Sequence, residues 1–303
     1  MEFRKIQFTG RSSYIVSLPK WWIKKHELKR GDAIALTFNP DGSITIYPGR
    51  DFREEPLKKV VEIREDYSPE LAVRLAVSAY IQGYDVLEFR FFEGVTLHKV
   101  RVRKILQSLP GIEIILDEPG RIVAKSLLDE DDVNLVEFLN RIRAIVVSML
   151  EDLELMDHGD EILKDIYDLE RELDRLYFLI LRTVTRMLSG GGRALRNPFA
   201  PIALLFIATN VERIGDHIVR MAEYHDKRVD PDYLRRAFMG IMKQVSEMNL
   251  ERVDELMKEL GEKSKSIDYN SGPALESFRR VMDYMINIGE TIIDLSMSGG
   301  FYD

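Results

Sequence analysis

The 303-residue sequence contains no cysteine, and this absence excludes several kinds of site at once. Disulfide bonds, thiolate metal ligands and cysteine nucleophiles are all ruled out. A metal ion could be bound only through oxygen atoms or through the imidazole nitrogens of the five histidines. Because 45% of the residues are hydrophobic and 31% are charged, the chain can bury packed cores and should fold.

Long apolar segments are also missing. The most apolar run, Pro201 to Ala208, is far shorter than the roughly 20 residues that a membrane-spanning helix needs. The N-terminal residues carry charge at once and lack the apolar stretch of a secretory signal. We therefore expect a protein that stays in the cytoplasm and does not insert into a membrane.

Negative charge dominates overall, but it is unevenly distributed. The formal net charge is −8, yet residues 1–50 contain nine Lys/Arg and four Asp/Glu and so carry +5. The remaining residues therefore carry −13. A basic head on an acidic body predicts a polyanion-binding module attached to a part with another task.

The pattern of residue types predicts a multidomain α+β protein with three parts. The first part, residues 1–50, has predicted strands at 5–9, 13–18, 33–38 and 43–47 and a helix from Pro19 to about Leu28. So small a strand-rich module buries little surface alone, and we therefore expect it to dimerise. Pro48, Gly49 and the charged residues to Glu55 predict a linker.

The second part, residues 56–128, is predicted to be a small α/β domain. Its predicted elements are a strand at 59–63, a helix opened by Ser68 and Pro69, a strand at 86–92, a helix at 97–109 and a hairpin of 112–116 with 122–126. This alternation of strands and helices indicates an α/β fold.

The third part, residues 130–303, is predicted to be an all-α helical bundle because its apolar residues recur every three or four positions. Five helices are predicted: about 131–153, 162–187, a third ending near Asp226, a fourth from Pro231 to Leu260 and a fifth from about Pro273 to Met297.

Two pairs of acidic residues occur at a four-residue spacing in the bundle. Glu170 and Asp174 form one pair, and Glu212 and Asp216 form the other. Like charges at this spacing cost about 0.2–0.5 kcal/mol per pair, so each pair needs a compensating cation. Both pairs flank the apolar seam in the same register, and in antiparallel helices such positions face each other. The four carboxylates could therefore converge.

Two kinds of cation could neutralise these acids. Oxygen ligands suit magnesium, manganese, iron or zinc, and His217 next to Asp216 could add a nitrogen ligand. Alternatively, Arg171, Arg175 and Arg213 could pair with the acids in ordinary surface salt bridges.

Residues 210–223, NVERIGDHIVRMAE, resemble the signature helix of the PhoU family of phosphate-uptake regulators. Residues 168–176, DLERELDRL, resemble its partner helix, and the resemblance covers about residues 130–226. The resemblance implies a pair of similar three-helix bundles whose acidic pairs hold metal clusters. It implies Glu170, Asp174, Glu212 and Asp216 as metal ligands.

The second half of the bundle departs from this family pattern. Residues 288–292, IGETI, echo residues 214–218, IGDHI, but Ile286 stands where Glu212 would correspond, and no equivalent of the second helix is apparent. Glu290 and Asp294 form another acidic pair, either as ligands or as part of a solvated face. Arg220 stands where the family usually has Asn.

Residues 10–20, GRSSYIVSLPK, and 28–32, LKRGD, resemble the AbrB family of swapped-hairpin DNA-binding dimers. The fused arrangement is similar to archaeal PhoU-like regulators. This resemblance implies a homodimeric β-barrel of interleaved strands with a basic face on double-stranded DNA. The candidate phosphate contacts are Arg4, Lys5, Arg11, Lys20, Lys24 and Lys25.

These features together predict a phosphate-responsive transcription regulator rather than an enzyme. A carboxylate-bridged di-iron oxidase would place Glu-x-x-His motifs in the bundle, but no histidine here has Glu three residues earlier. The alternative function is an adaptor that does not bind DNA and instead regulates a phosphate transporter ATPase subunit or a sensor kinase by protein contact.

Overall fold

The computed structural model of the chain describes residues 3–10, 13–38, 42–49, 56–128, 134–189, 197 and 199–301. It consists of two compact units, Met1–Glu55 and Pro56–Asp303. The fold class predicted from the sequence is confirmed: strand hairpins at the N-terminus precede an α/β part and a C-terminal helical bundle. The exact boundaries predicted for the three parts stay predictions, since residues 50–55 and 129–133 lie outside the described ranges.

Residues 3–10, 13–38 and 42–49, the described part of the N-terminal unit, form two antiparallel hairpins and one short helix. Strand β1 (Gln7–Thr9) pairs with β2 (Ser13–Ile15), and β3 (Ile34–Phe38) pairs with β4 (Ile44–Pro48). Helix α1 (Lys20–Lys25) follows Pro19, whose extended backbone ends the preceding segment. All residues of β1 and β2 are exposed, and α1 contains no buried residue. The described part of this unit therefore has no packed core of its own.

The second unit begins with an α/β part that follows the predicted element order. Its elements are β5 (Lys58–Ile63), α2 (Pro69–Ile81), β6 (Val86–Phe91), α3 (Thr96–Ser108), β7 (Ile112–Glu118) and β8 (Arg121–Ser126). Ser68 caps α2 by accepting a hydrogen bond from the amide of Leu71. The sheet order is β5-β6-β8-β7, with β5 and β6 parallel and the other pairs antiparallel.

In the described residues of the C-terminal part, the helical bundle contains six long helices. They are α4 (Leu135–Glu154), α5 (Asp160–Leu188), α6 (Phe199–Tyr224), α7 (Pro231–Glu247), α8 (Leu250–Lys265) and α9 (Pro273–Ser296). None of the described helices is long and apolar enough to cross a lipid bilayer.

The prediction of a single helix from Pro231 to Leu260 was wrong. Met248 adopts a left-handed backbone with φ of 52°, which ends α7, and the Asn249 side chain accepts a hydrogen bond from the amide of Arg252, which begins α8. The break supplies the helix that the sequence analysis did not find in the second half. The bundle is therefore two successive sets of three helices, α4–α6 and α7–α9, with α6 and α9 packed along each other.

The α/β part is joined to the bundle through a buried arginine of α5. Arg182 is fully buried, and its Nη1 atom donates to the carbonyl oxygens of Tyr80 at 2.9 Å and Tyr84 at 3.0 Å. One turn later, Arg186 donates to the carbonyl of Gly83 at 3.4 Å. These donors satisfy carbonyl groups at and just after the C-terminal end of α2. The sheet and the bundle consequently form one compact unit.

Candidate metal centre and nucleic-acid interface

The two acidic pairs lie on neighbouring helices, α5 and α6, at a point of close approach. Gly215 lies between Glu212 and Asp216, and a Cβ atom at Gly215 would lie 2.6 Å from Cδ2 of Leu173. Leu173 itself precedes Asp174. The missing side chain of Gly215 therefore lets α5 and α6 approach at the level of the acids.

Burial and mutual repulsion raise the pKa values of these carboxylates. Burial raises the pKa of Glu170 to about 7, with further contributions from the charges of Asp174 and Asp216. Burial likewise raises the pKa of Glu212 to about 7, and Asp216 and Asp174 add to the effect while Arg213 opposes it. Burial also raises the pKa of Asp174, and partial desolvation raises the pKa of Asp216 although this residue is exposed. Because each pair responds to the other, the structure brings the four acids into one region.

Two of the three arginines proposed as alternative partners, Arg171 and Arg213, make other contacts. Arg171 pairs with Asp168. Arg213 lies over the ring of Tyr284, 6.0 Å from its centroid, although its charge lowers the pKa values of Glu212 and Asp216. Within the described ranges, none of the four acids forms an ion pair at 4.0 Å or less. The simple arrangement of one arginine per acid is therefore not present.

The four carboxylates share a region without meeting at one point. In the part of the chain that the structure describes, no three His, Asp or Glu side chains are placed so that they could hold one ion together. Glu170, Asp174 and Glu212 are half-buried and Asp216 is exposed, so the last of these is free to change its rotamer. An ion between α5 and α6 would require such side-chain rotations.

His217 is not brought to the acidic pairs. Its Nδ1 atom lies 3.1 Å from Oγ of the buried Ser277, and its ring centroid lies 5.6 Å from that of Tyr284. Both partners belong to α9. Burial and the charges of Arg220 and Arg280 lower the pKa of His217. The adjacent position in the sequence therefore places this side chain on a different face of α6 from Asp216.

The predicted second acidic pair, Glu290 and Asp294, lies on the exposed side of α9.

Sequence reasoning also missed a hydrogen bond between α5 and α6, the helices of the first two acidic pairs. The hydroxyl of Tyr167 on α5 donates to a carboxylate oxygen of Glu223 on α6 at 2.6 Å. The two residues are 56 positions apart in the chain, so no local sequence pattern pairs them.

The candidate DNA contacts lie in the N-terminal unit. Lys20, Lys24 and Lys25 are exposed side chains of α1, and Arg4 and Lys5 are exposed in the segment before β1. Arg11 lies outside the described residues. The three lysines of α1 give this short helix a concentrated positive charge.

The chain contains a two-set helical bundle, with an acidic region on α5 and α6, and a small basic strand module. Residues 139–224 match the family model of the PhoU domain, and this range contains α5, α6 and most of α4. Residues 7–54 match the model described as antidote-toxin recognition MazE, bacterial antitoxin. Residues 139–224 are thus similar to the PhoU domain and residues 7–54 to a MazE/AbrB-like module, as the sequence resemblances implied. No significant match was found among curated proteins or solved structures.

Proposed function

We propose that the chain is a homodimeric, metal-dependent regulator that controls phosphate uptake in the cytoplasm by binding DNA through its N-terminal unit. The PhoU domain supplies the phosphate connection, and the MazE/AbrB-like module supplies the DNA connection. The observation that carries the metal proposal is the acidic region of α5 and α6, where two glutamates have pKa values of about 7 and the described residues provide no ion pair.

The donor set fits a hard or borderline cation. Glu170, Asp174, Glu212 and Asp216 provide only carboxylate oxygens, which magnesium, manganese, iron and zinc accept. A bound ion would supply the positive charge that offsets burial of these groups and their mutual repulsion. Its role in this proposal is to hold α5 and α6 together.

Elemental analysis of the purified protein tests the metal site. We expect the Glu212→Ala/Asp216→Ala variant to lose the metal that the wild-type protein retains. The matched control is Asp168→Ala/Glu172→Ala, which removes two exposed acids from α5 outside the proposed ligand set and should keep the metal. Unchanged metal content in the Glu212/Asp216 variant would remove the proposed site.

The nucleic-acid proposal rests on the charge of the N-terminal unit. Each phosphate neutralised by Lys or Arg contributes about 0.9 to the slope of log affinity against log salt. We expect duplex affinity to fall steeply with salt and the Lys24→Ala/Lys25→Ala variant to have a shallower slope. No duplex binding even at low salt would instead favour the adaptor function, with contact to a transporter ATPase subunit or sensor kinase.

We further propose that the metal and the DNA are linked. An ion that binds better to one arrangement of the bundle would shift the population towards that arrangement and alter how paired N-terminal units fit a duplex. Duplex affinity should therefore change when the metal is chelated and recover when it is restored. If chelation leaves duplex affinity unchanged, metal control is wrong, while DNA binding itself can still stand.

A further inference from the structure

The two halves of the bundle share one pattern of buried residues. In the first half, the side chain of Leu173 on α5 occupies the space beside Gly215 of α6 where a Cβ atom would lie. In the second half, the side chain of Met257 on α8 does the same beside Gly289 of α9, where a Cβ atom would lie 2.7 Å from Sδ of Met257. Eleven of the twelve buried positions of α6 have a buried counterpart in α9, 74 residues later in the chain. These pairs include Ile207 with Val281, Ala208 with Met282, Val211 with Met285, Ile214 with Ile288, Gly215 with Gly289, Ile218 with Ile292 and Met221 with Leu295.

The two glycines and the side chains that contact them align the two halves of the bundle and assign a counterpart to each carboxylate. Gly215 with Gly289 aligns α6 with α9, and Leu173 with Met257 aligns α5 with α8. The counterpart of Glu170 is Asp254, that of Asp174 is Lys258, that of Glu212 is Ile286 and that of Asp216 is Glu290. Four carboxylates in the first half therefore correspond to two carboxylates, one ammonium group and one apolar side chain in the second.

The ammonium group of Lys258 already pairs with an acid in this second region. Its Nζ atom lies 2.5 Å from Oδ2 of Asp254, four residues earlier on the exposed side of α8. Ile286 packs against the bundle core and lies near Gly261, whose Cβ would be 4.0 Å from its Cδ1 atom. The four positions carry a formal net charge of −1 instead of −4, so like-charge repulsion among them is weaker than among the four carboxylates of the first half.

We infer that Lys258 makes the second half of the bundle independent of metal, because its ammonium group supplies within the chain the positive charge that the first half must take from a bound ion. This inference rests on the proposed metal function. It restricts metal binding to α5 and α6, and Glu290 is then a solvated acid rather than a ligand.

The restriction has a consequence for regulation. Helix α5 carries Glu170 and Asp174 and, two to three turns later, Arg182, which holds the α/β part. Among the described residues, contacts between the α/β part and the bundle run chiefly through α2 and α5. Metal loading therefore acts on the half that holds the α/β part, while α7–α9 form a scaffold that is the same with and without metal.

Metal content of matched variants tests the inference. Asp254→Ala/Glu290→Ala should retain the full wild-type metal content, whereas Glu212→Ala/Asp216→Ala should lose it. A metal content halved by Asp254→Ala/Glu290→Ala would overturn the inference and leave the proposed metal function intact. Wild-type protein without any bound metal, after incubation with each candidate ion, would instead contradict the proposed function.

A gain-of-binding variant tests the role of Lys258 itself. Lys258→Asp/Ile286→Glu restores four acids at the second position, and the folded variant should hold twice as much metal per chain as the wild type. Unchanged metal content in the folded variant would overturn the assignment of Lys258 as the deciding residue.

Hydrogen exchange of the wild-type protein tests the inference without any substitution. This test remains usable if the Lys258→Asp/Ile286→Glu variant does not fold. On chelation, amide exchange in the middle of α5 should accelerate by an order of magnitude or more, while that of α8 stays unchanged. An equal acceleration in α8 would overturn the inference.

Discussion

At the scale of single residues, Arg182 is a buried charged side chain of the bundle. Its side chain is fully buried, and its guanidinium group lies 5.1 Å from the centroid of the Tyr80 ring while it donates to the carbonyls of Tyr80 and Tyr84. A buried charge is tolerated only where hydrogen bonds replace its hydration. Arg182 therefore holds the α/β part on the bundle by satisfying backbone carbonyls that no apolar residue could serve.

Replacing Arg182 with Met should lower the free energy of unfolding by about 3 kcal/mol, since hydrogen bonds to a charged group contribute about 1.5–3 kcal/mol and two carbonyls lose a donor. Urea denaturation of the full-length protein measures the change. The control, Arg236→Met, removes an exposed arginine that pairs with Asp232 on the same helix, and it should change the free energy by less than about 0.5 kcal/mol. Equal effects would contradict the buried role of Arg182.

The raised pKa values of Glu170 and Glu212 make the metal-free protein sensitive to pH. Their ordinary pKa is 4.5 and their folded pKa is about 7, so folding takes up protons between these values. Both groups are protonated below pH 4.5 and impose no penalty there. As the pH rises, ionisation of these two buried carboxyl groups lowers the free energy of unfolding, and this loss is complete above about pH 7.

In the presence of a chelator, the melting temperature should therefore fall as the pH is raised from about 5.5 to about 7.5, relative to a Glu170→Gln/Glu212→Gln variant. Apparent metal affinity should weaken below pH 7, because binding an ion must release these protons. Calorimetry in buffers of different ionisation enthalpy measures the protons released. A wild-type melting curve that matches the variant at every pH would contradict the raised pKa values.

At the scale of helices, the close approach of α5 to α6 and of α8 to α9 depends on two glycines, Gly215 and Gly289. Helix propensity does not favour glycine at either position. Glycine in a helix interior costs about 1 kcal/mol relative to alanine, so its presence at Gly215 and Gly289 has to be offset by packing. In both cases the side chain from the neighbouring helix fills the space where Cβ would be. The two halves of the bundle therefore use the same device to bring their second and third helices together.

Gly215→Ala should destabilise the protein by about 1–3 kcal/mol, because the added methyl group overlaps Leu173 in a packed interface. Gly261→Ala on α8 is the matched control: its nearest neighbour would be 4.0 Å away, and the better helix propensity of alanine should stabilise by up to about 1 kcal/mol. Thermal or urea unfolding distinguishes the two signs. A stabilised Gly215→Ala variant would show that α5 and α6 are not tightly apposed there.

At the scale of the whole molecule, the exposed apolar residues of the N-terminal unit favour association with a second copy. Exposed side chains include Phe3, Ile6, Phe8, Tyr14 and Trp21. Phe8 and Tyr14 contact each other across β1 and β2, with ring centroids 5.2 Å apart, and both remain more than half exposed. Exposed apolar side chains on a small strand module favour a partner surface, which the second chain of the proposed homodimer would supply.

Phe8→Asp should therefore dissociate the dimer and shift its dissociation constant by at least 100-fold, because it places a charge in the apolar surface. Sedimentation velocity of the full-length protein over a concentration series measures this. Ser13→Asp puts the same charge on an exposed position of β2 and should have a much smaller effect. A dimer equally stable in the Phe8→Asp variant would place the interface elsewhere.

The sequence by itself determined the local elements and the shared register of the acids. Ser68 before Pro69 predicts the start of α2, the apolar spacing predicts α5, and the four-residue spacing of each acidic pair requires both of its members to share a helix face. These features depend only on backbone periodicity and on neighbours within about one helical turn. The sequence also indicated the PhoU and AbrB-like resemblances, because their motifs are contiguous.

Only the tertiary structure decided which side chains meet across elements. It turned His217 towards Ser277 on α9, divided residues 231–260 at the left-handed backbone of Met248, and buried Arg182 against the carbonyls of α2. It also showed that α8 repeats α5 and so made Lys258 the counterpart of Asp174. Residues far apart in the chain are brought together by helix packing, and the packing free energy depends on all the surfaces at once, which no local sequence pattern contains.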